Sequence, residues 1–244
     1  MPINLTYYHS AENVPKKTFE AAVVIDVLRA TTTIAWALYN GAEAVQAFSD
    51  INKLKDISSK WPKEKRLILG ERGGRKLEGF DLGNSPLSVS RDIVEKKRIF
   101  ISTTNGTKAL QRLGGSENLF AMSLPNRKSV AERIIKLDVS NLVVLGSGWE
   151  GDYSLEDSLA AGALAGYLQN SDKCKVNIAN DEMNSALALW SYWNKDILKC
   201  LKNSTHGQRL MNLGEYEEDL ICCSQLDNLT VVPKQTELGI LKAS

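Results

Sequence analysis

Asp26, Arg29, Glu71 and Arg72 each follow a short apolar run, and so does the hydroxyl-rich stretch 102–107. These residue types suit phosphoryl chemistry. A carboxylate can ligate a hard cation or take a proton, and an arginine fork matches two phosphate oxygens. Free backbone N–H groups at a strand-to-helix turn favour an anion. Asp26 ends the run 21–25, where it can serve as metal ligand or nucleophile, or simply cap the helix that follows. Arg29 offers a fork to phosphate or a surface ion pair, and Thr31 and Thr32 offer hydroxyls for an anion or for plain capping. Glu71 and Arg72 run into Gly73 and Gly74, which let the backbone turn tightly, and Asp81, Asn84 and Ser85 stand in the continuation of that loop. The turn of Thr103, Thr104, Asn105, Gly106 and Thr107 resembles a phosphate loop in its physics but lacks the Gly-Lys-Ser/Thr sequence.

Glu156 and Asp157 can complete an all-oxygen magnesium site with Asp26, Glu71 or Asp81, or can serve as acidic residues complementing a helix dipole. Magnesium typically takes only one or two protein carboxylates and keeps its waters, so not every candidate is a ligand. His206 is a candidate proton donor to a leaving oxygen, with a structural role as its alternative. The only other histidine, His9, has no supporting context, and two scattered histidines do not suggest zinc.

The elements that must carry these residues alternate. Strands are expected at 21–26, 43–48, 66–70, 98–102, 118–121 and 141–146. Helices are expected from 31–33 to Asn40, over 85–96, from Gly106 to Leu113, and over 126–137 and 155–170. This alternation predicts an α/β fold with parallel strands, whose carboxyl-end crevice is the usual ligand position. Beyond about residue 180 the chain reads as more helical, with helices over 181–192 and 205–224 and a short last strand at 230–233. No linker separates that region, so one domain over 1–244 is expected. The segment 2–10 reads as short and polar.

A formal net charge of +1 gives no whole-molecule attraction to nucleic acid or an anionic membrane. No apolar stretch approaches the length of a spanning helix, and nothing at the start resembles a signal peptide. The four cysteines show no Cys-x-x-Cys spacing. Together these predict a reduced, cytoplasmic protein in which a homo-oligomer is possible.

Several stretches resemble the 2-phosphosulfolactate phosphatase (ComB) family: 24–33, 70–74 with Gly79-Phe80 and 83–86, 103–107, Leu155-Glu156-Asp157 with Ala161-Gly162, and Ser204 with His206. They occur in order over most of the chain. The resemblance implies a three-layer α/β/α fold with a mixed or mostly parallel sheet. It also implies magnesium-dependent hydrolysis of 2-phosphosulfolactate to sulfolactate and phosphate, as in coenzyme M biosynthesis. On that reading Asp26, Arg29, Arg72 and His206 are the catalytic candidates, and the metal candidates are Asp26, Glu71, Asp81, Glu156 and Asp157. The phosphate-binding candidates are Thr31, Thr32, Gly73, Gly74, Asn84, Ser85 and 103–107. The Asp-x-Asp pair of haloacid-dehalogenase phosphatases is missing, because Leu28 takes its second position. A non-catalytic sensor of phosphorylated metabolites, or a relative with a different small phospho-acid substrate, is the alternative.

Overall fold

The computed structural model describes residues 1–137, 139–149, 151–214 and 216–244. Its strands are β1 (Ile3–Tyr8), β2 (Ala21–Ile25), β3 (Ala44–Ala47), β4 (Arg66–Arg72), β5 (Arg75–Lys76), β6 (Arg98–Ser102), β7 (Asn118–Met122), β8 (Asn141–Gly146), β9 (Val176–Ile178), β10 (Pro233–Glu237) and β11 (Ile240–Ala243). They form one mixed sheet in the order β5-β4-β6-β3-β11-β10-β7-β2-β8-β1-β9. Pairing is parallel within β4-β6-β3 and within β7-β2-β8-β1-β9. The antiparallel hairpin β10–β11 joins these two groups.

The helices are α1 (Ala30–Tyr39), α2 (Ile51–Ser59), α3 (Arg91–Val94), α4 (Gly106–Arg112), α5 (Arg127–Ile135), α6 (Leu155–Gln169), α7 (Asp181–Trp193), α8 (Ile197–Asn203), α9 (Thr205–Asn212) and α10 (Glu217–Ser224). β2 explains why they form two layers. Ala21, Val23 and Ile25 pack in one core with α5, α6 and α7, whereas Ala22 and Val24 pack in a second core with α1 and α4. Alternate side chains of one strand thus feed opposite faces, and a strand buried on both faces must be apolar throughout. The result is the three-layer α/β/α arrangement. Small residues let α6 approach α7 closely, because a Cβ on Gly162 would lie 1.9 Å from the Ala186 carbonyl oxygen.

Besides α2, β5, β9, α8 and β11, which were not expected, the structure departs from the sequence expectation at four places. The segment 85–96 is a single 3-10 turn, Pro86–Ser88, followed by the short α3. Ser85 caps Leu87 while Ser88 Oγ donates to the Ser85 carbonyl, and such local bonds compete with helix propagation. The segment 205–224 is two helices, broken at Gly214 with φ +96°, a left-handed conformation that favours glycine. Glu215, inside that expected helix, lies outside the described residues. The last strand begins at Pro233 rather than at Thr230 and turns back at Gly239 as the hairpin. Residues 3–8, read as short and polar, form β1, whose buried Ile3, Leu5 and Tyr7 alternate with half-buried residues. No helix among the described residues is long and apolar enough to cross a membrane.

Candidate active site

The ends of β2, β4, β6 and β8 deliver Asp26, Glu71, Thr104 and Gly148 to one cleft of about 480 Å³ including its open mouth. α6 adds Glu156 and Asp157 to the wall, and α9 adds His206 and Arg209. Asp26 is buried just past β2. Its Oδ1 accepts a hydrogen bond from the Ala30 N–H (2.9 Å), so it caps the start of α1 as well as facing the cleft. Its Oδ2 lies beside Gly106, where a Cβ would come within 2.6 Å, so the first residue of α4 has room for no side chain. Burial drives the Asp26 carboxyl up to about 7, and the charges of Glu71 and Glu156 push the same way against the Ala30 hydrogen bond and Arg29.

Glu71 ties two loops together. Its Oε1 accepts from the Thr104 N–H (2.7 Å) and hydroxyl (3.0 Å), and its Oε2 accepts from the Gly74 N–H (2.7 Å). Asp157 braces two others, accepting from the Val27 N–H (2.8 Å) at Oδ1 and from the Ser147 N–H (3.1 Å) at Oδ2. Its carboxyl is nevertheless raised well above the usual range, first by burial and then by Asp26 and Glu156. Glu156 is raised by burial, against hydrogen bonds from the backbone, Ser204 and Ser154.

Arg29 is 3% exposed and lies at the base of the cleft, after the cis Leu28–Arg29 peptide bond. Nη1 donates to Asp219 Oδ2 (2.5 Å), Nη2 donates to the Gly74 carbonyl (3.0 Å), and the guanidinium stacks on the Tyr216 ring at 4.1 Å. Asp219 Oδ1 in turn accepts from Ser85 Oγ (2.6 Å). The α10 segment thus orients an arginine that stands about 190 residues earlier in the chain.

His206 Nδ1 lies 3.9 Å from Glu156 Oε1, beyond hydrogen-bond range. Burial first, then Arg209 and Arg29, lower its pKa to about 4, so the pair is no ion pair at neutral pH. A neutral imidazole serves as a hydrogen-bonding group rather than a charged acid. Relative to an unfolded value near 6.5, its contribution to stability is present above that pH and lost as pH falls toward about 4. His206→Gln is therefore expected to lower the rate without removing any inflection between about pH 6 and 7 from the kcat profile. Loss of such an inflection in stopped-time assays would restore the charged-acid role.

Of the sequence candidates, Asp26, Arg29, Glu71, Gly73, Gly74, Asn84, Thr104, Asn105, Glu156, Asp157 and His206 line the cleft. The others do not. Arg72 is turned onto Ser102 Oγ (2.9 Å) and the Glu71 carbonyl. Asp81 is exposed on the far side of β4, accepting from the Ile68 N–H. Thr31 and Thr32 spend their hydroxyls on the carbonyls of Met122 and Val27, because a fully buried hydroxyl needs a partner. Thr103 accepts from the Thr107 N–H, Thr107 returns a bond to the Thr103 carbonyl, and Gly106 acts only by making room. Ser85 reaches the cleft only through Asp219.

Leu28, Gly148, Trp149 and Arg209 line the same cleft, and of these the sequence reading left Arg209 unnamed. Arg209, three residues after His206 on α9, shares its helix face; that spacing was the available signal.

Among the described residues no three His, Cys, Asp or Glu side chains form a ready-made metal cluster. The donor chemistry still fits a hard divalent cation needing few protein ligands. Four buried carboxylates crowd one cleft, where the charges of neighbouring carboxylates raise Asp26 and Asp157, and Asn84 Oδ1 is buried there without a hydrogen-bond partner among the described residues. Asp26 Oδ2 accepts no hydrogen bond from a described residue.

The family model for 2-phosphosulpholactate phosphatase matches residues 8–238. A Prochlorococcus marinus protein named probable 2-phosphosulfolactate phosphatase is 57% identical over 240 residues, covering 98% of this chain and 99% of its own. Proteins of the same name from Synechococcus sp. (54% identical, 99% of both chains) and Nostoc punctiforme (49%, 99% of both) align as completely. With this full-length match and the carboxylates and arginines it would require gathered in one cleft, the chain belongs to the 2-phosphosulfolactate phosphatase family.

Proposed function

We propose that the chain hydrolyses 2-phosphosulfolactate to sulfolactate and phosphate in the cytoplasm, with magnesium as its cation. The observation that carries this reading is one cleft in which buried carboxylates face Arg29 and Arg209, in a chain aligned end to end with relatives of that name. Four unpaired cysteines support a reduced compartment. Asp26 and Glu156 would hold the cation, which when bound supplies charge neutralisation at the phosphoryl oxygens.

Phosphoryl transfer asks a protein for positioning and charge stabilisation more than for covalent chemistry. Arg29, immobilised by Asp219 and the Gly74 carbonyl, keeps further N–H donors for the phosphoryl oxygens. Thr104 and the backbone of 73–74, pinned by Glu71, give the phosphoryl group a fixed wall. Asp26 accepts the proton of the attacking water at Oδ2. The water oxygen bonds to phosphorus as the ester P–O bond breaks. The alcohol oxygen leaves, steadied by a hydrogen bond from His206, and takes up the proton that Asp26 received from the water.

Phosphate release from a panel of phosphorylated hydroxy acids, with magnesium and with EDTA, tests the reading. The expected result is release from 2-phosphosulfolactate above all other esters, abolished by EDTA and restored by magnesium. Release preferring another ester would replace the substrate, and EDTA-resistant release would remove the cation. Binding without turnover would make the cleft a sensor.

A further inference from the structure

The two arginines of the cleft differ in one respect: Arg29 has a counter-ion and Arg209 has none among the described residues. Arg29 is committed to Asp219, to the Gly74 carbonyl and to the Tyr216 ring. Arg209 forms no ion pair or hydrogen bond with any described residue. Its guanidinium instead lies over the Trp149 ring, 4.8 Å from the centroid. A guanidinium held over an aromatic face keeps its N–H donors for another partner. Nη2 also lies near Gly73, where a Cβ would come within 3.2 Å of it.

The two cations therefore flank consecutive residues of one turn, Arg209 at Gly73 and Arg29 at Gly74. A half-buried guanidinium without a counter-ion among the described residues suits an anion brought by the ligand. The crowded carboxylates of the cleft do not supply that anion. They brace backbone N–H groups elsewhere, as Glu71 does at Thr104 and Gly74 and Asp157 does at Val27 and Ser147.

We propose that Arg209, lying over Trp149, binds the substrate's second acidic group, the sulfonate or carboxylate that does not react, and so selects phosphate esters carrying a further anion. This rests on the phosphatase reading of the cleft. Arg29 then faces the phosphoryl group, and the ester spans the 73–74 turn from one arginine to the other. Gly73 has φ +60°, and any side chain there would press on Nη2, so the turn itself preserves the space Arg209 needs.

The test compares kcat/KM for 2-phosphosulfolactate with kcat/KM for phenyl phosphate, an ester without a second anion, in the wild type and in Arg209→Met. The ratio of the two is expected to fall roughly 10- to 100-fold, the worth of a charge-assisted pair, mainly through a higher KM for the dianionic acid. A wild-type ratio in the variant overturns the assignment, whatever happens to the absolute rates. Arg209→Gln, closer in polarity, decides the same ratio if Arg209→Met does not fold.

Calorimetric titration with sulfolactate, which has no phosphate, separates this proposal from the phosphatase reading. If the wild type hydrolyses no ester, the phosphatase reading fails, and sulfolactate binding still judges Arg209. At least tenfold weaker binding in the variant supports the assignment. Equal affinity in both proteins, including none in either, overturns it.

Discussion

Asp26→Asn is expected to abolish measurable turnover while making the cation-free protein more stable above neutral pH. The rate loss follows from removing both a proton acceptor and a cation oxygen, each worth roughly 100-fold or more where charge develops. The stability gain follows from linkage. In the folded chain burial and the charges of Glu71 and Glu156 raise the Asp26 carboxyl to about 7, whereas its ordinary value is 3.8. A group whose folded pKa is raised contributes stability that is present below its unfolded value and lost as pH rises through the folded one.

Without cation, the wild type should therefore lose stability between about pH 4 and 7, by up to roughly 4 kcal/mol from this group. Asparagine keeps the oxygen that caps Ala30 and carries no charge, so the variant escapes that loss. Urea unfolding in EDTA at pH 5 and pH 8 measures the effect: the variant's advantage should widen at pH 8, and magnesium should narrow it by stabilising the wild type. Equal urea midpoints at both pH values would mean that Asp26 is not the strained carboxylate of the cleft.

Asp219→Ala is expected to cost the most stability of any single change in the C-terminal helices. Both partners of the Arg29–Asp219 pair are almost wholly buried, at 2% and 3% side-chain exposure. Removing one partner of such a pair leaves an uncompensated buried charge and typically costs about 3–5 kcal/mol. It also strands the Ser85 hydroxyl, which donates to the other Asp219 oxygen. Because Arg29 lines the cleft, the change should lower kcat/KM as well as the unfolding midpoint. Asp219→Asn, which keeps acceptor geometry, should recover most of the stability and less of the activity. Full activity in a folded Asp219→Ala protein would show that Arg29 holds its place without α10.

Local apolar runs and turn chemistry made much of the framework legible. β2 is an unbroken apolar run because both its faces are buried, and parallel pairing places its carboxyl end, hence Asp26, at the cleft. Motifs 24–33, 70–74 and 103–107 carried the family before any coordinate. β1 went unread because its half-buried Asn4, Thr6 and Tyr8 mask the buried alternation of Ile3, Leu5 and Tyr7. The break at Gly214 and the interrupted segment 85–96 depended on single φ values and local hydroxyl bonds, which helical periodicity does not register.

By itself, then, the sequence determined the α/β class, the strand-end positions of Asp26 and Glu71, the family, and the residue types of the chemistry. Those depend on neighbours a few residues apart, where periodicity and capping act. Only the tertiary structure decided which polar side chains are free. Thr31, Thr32, Thr103 and Thr107 looked like an anion cradle but are consumed by buried backbone carbonyls and N–H groups, while Arg72 turns away to Ser102. It alone brought Asp219 to Arg29 and set Arg209 on Trp149, contacts across about 190 and 60 residues of chain. The physical reason is that a polar group's role is set by what satisfies it on burial, and that partner is chosen by packing rather than by sequence position.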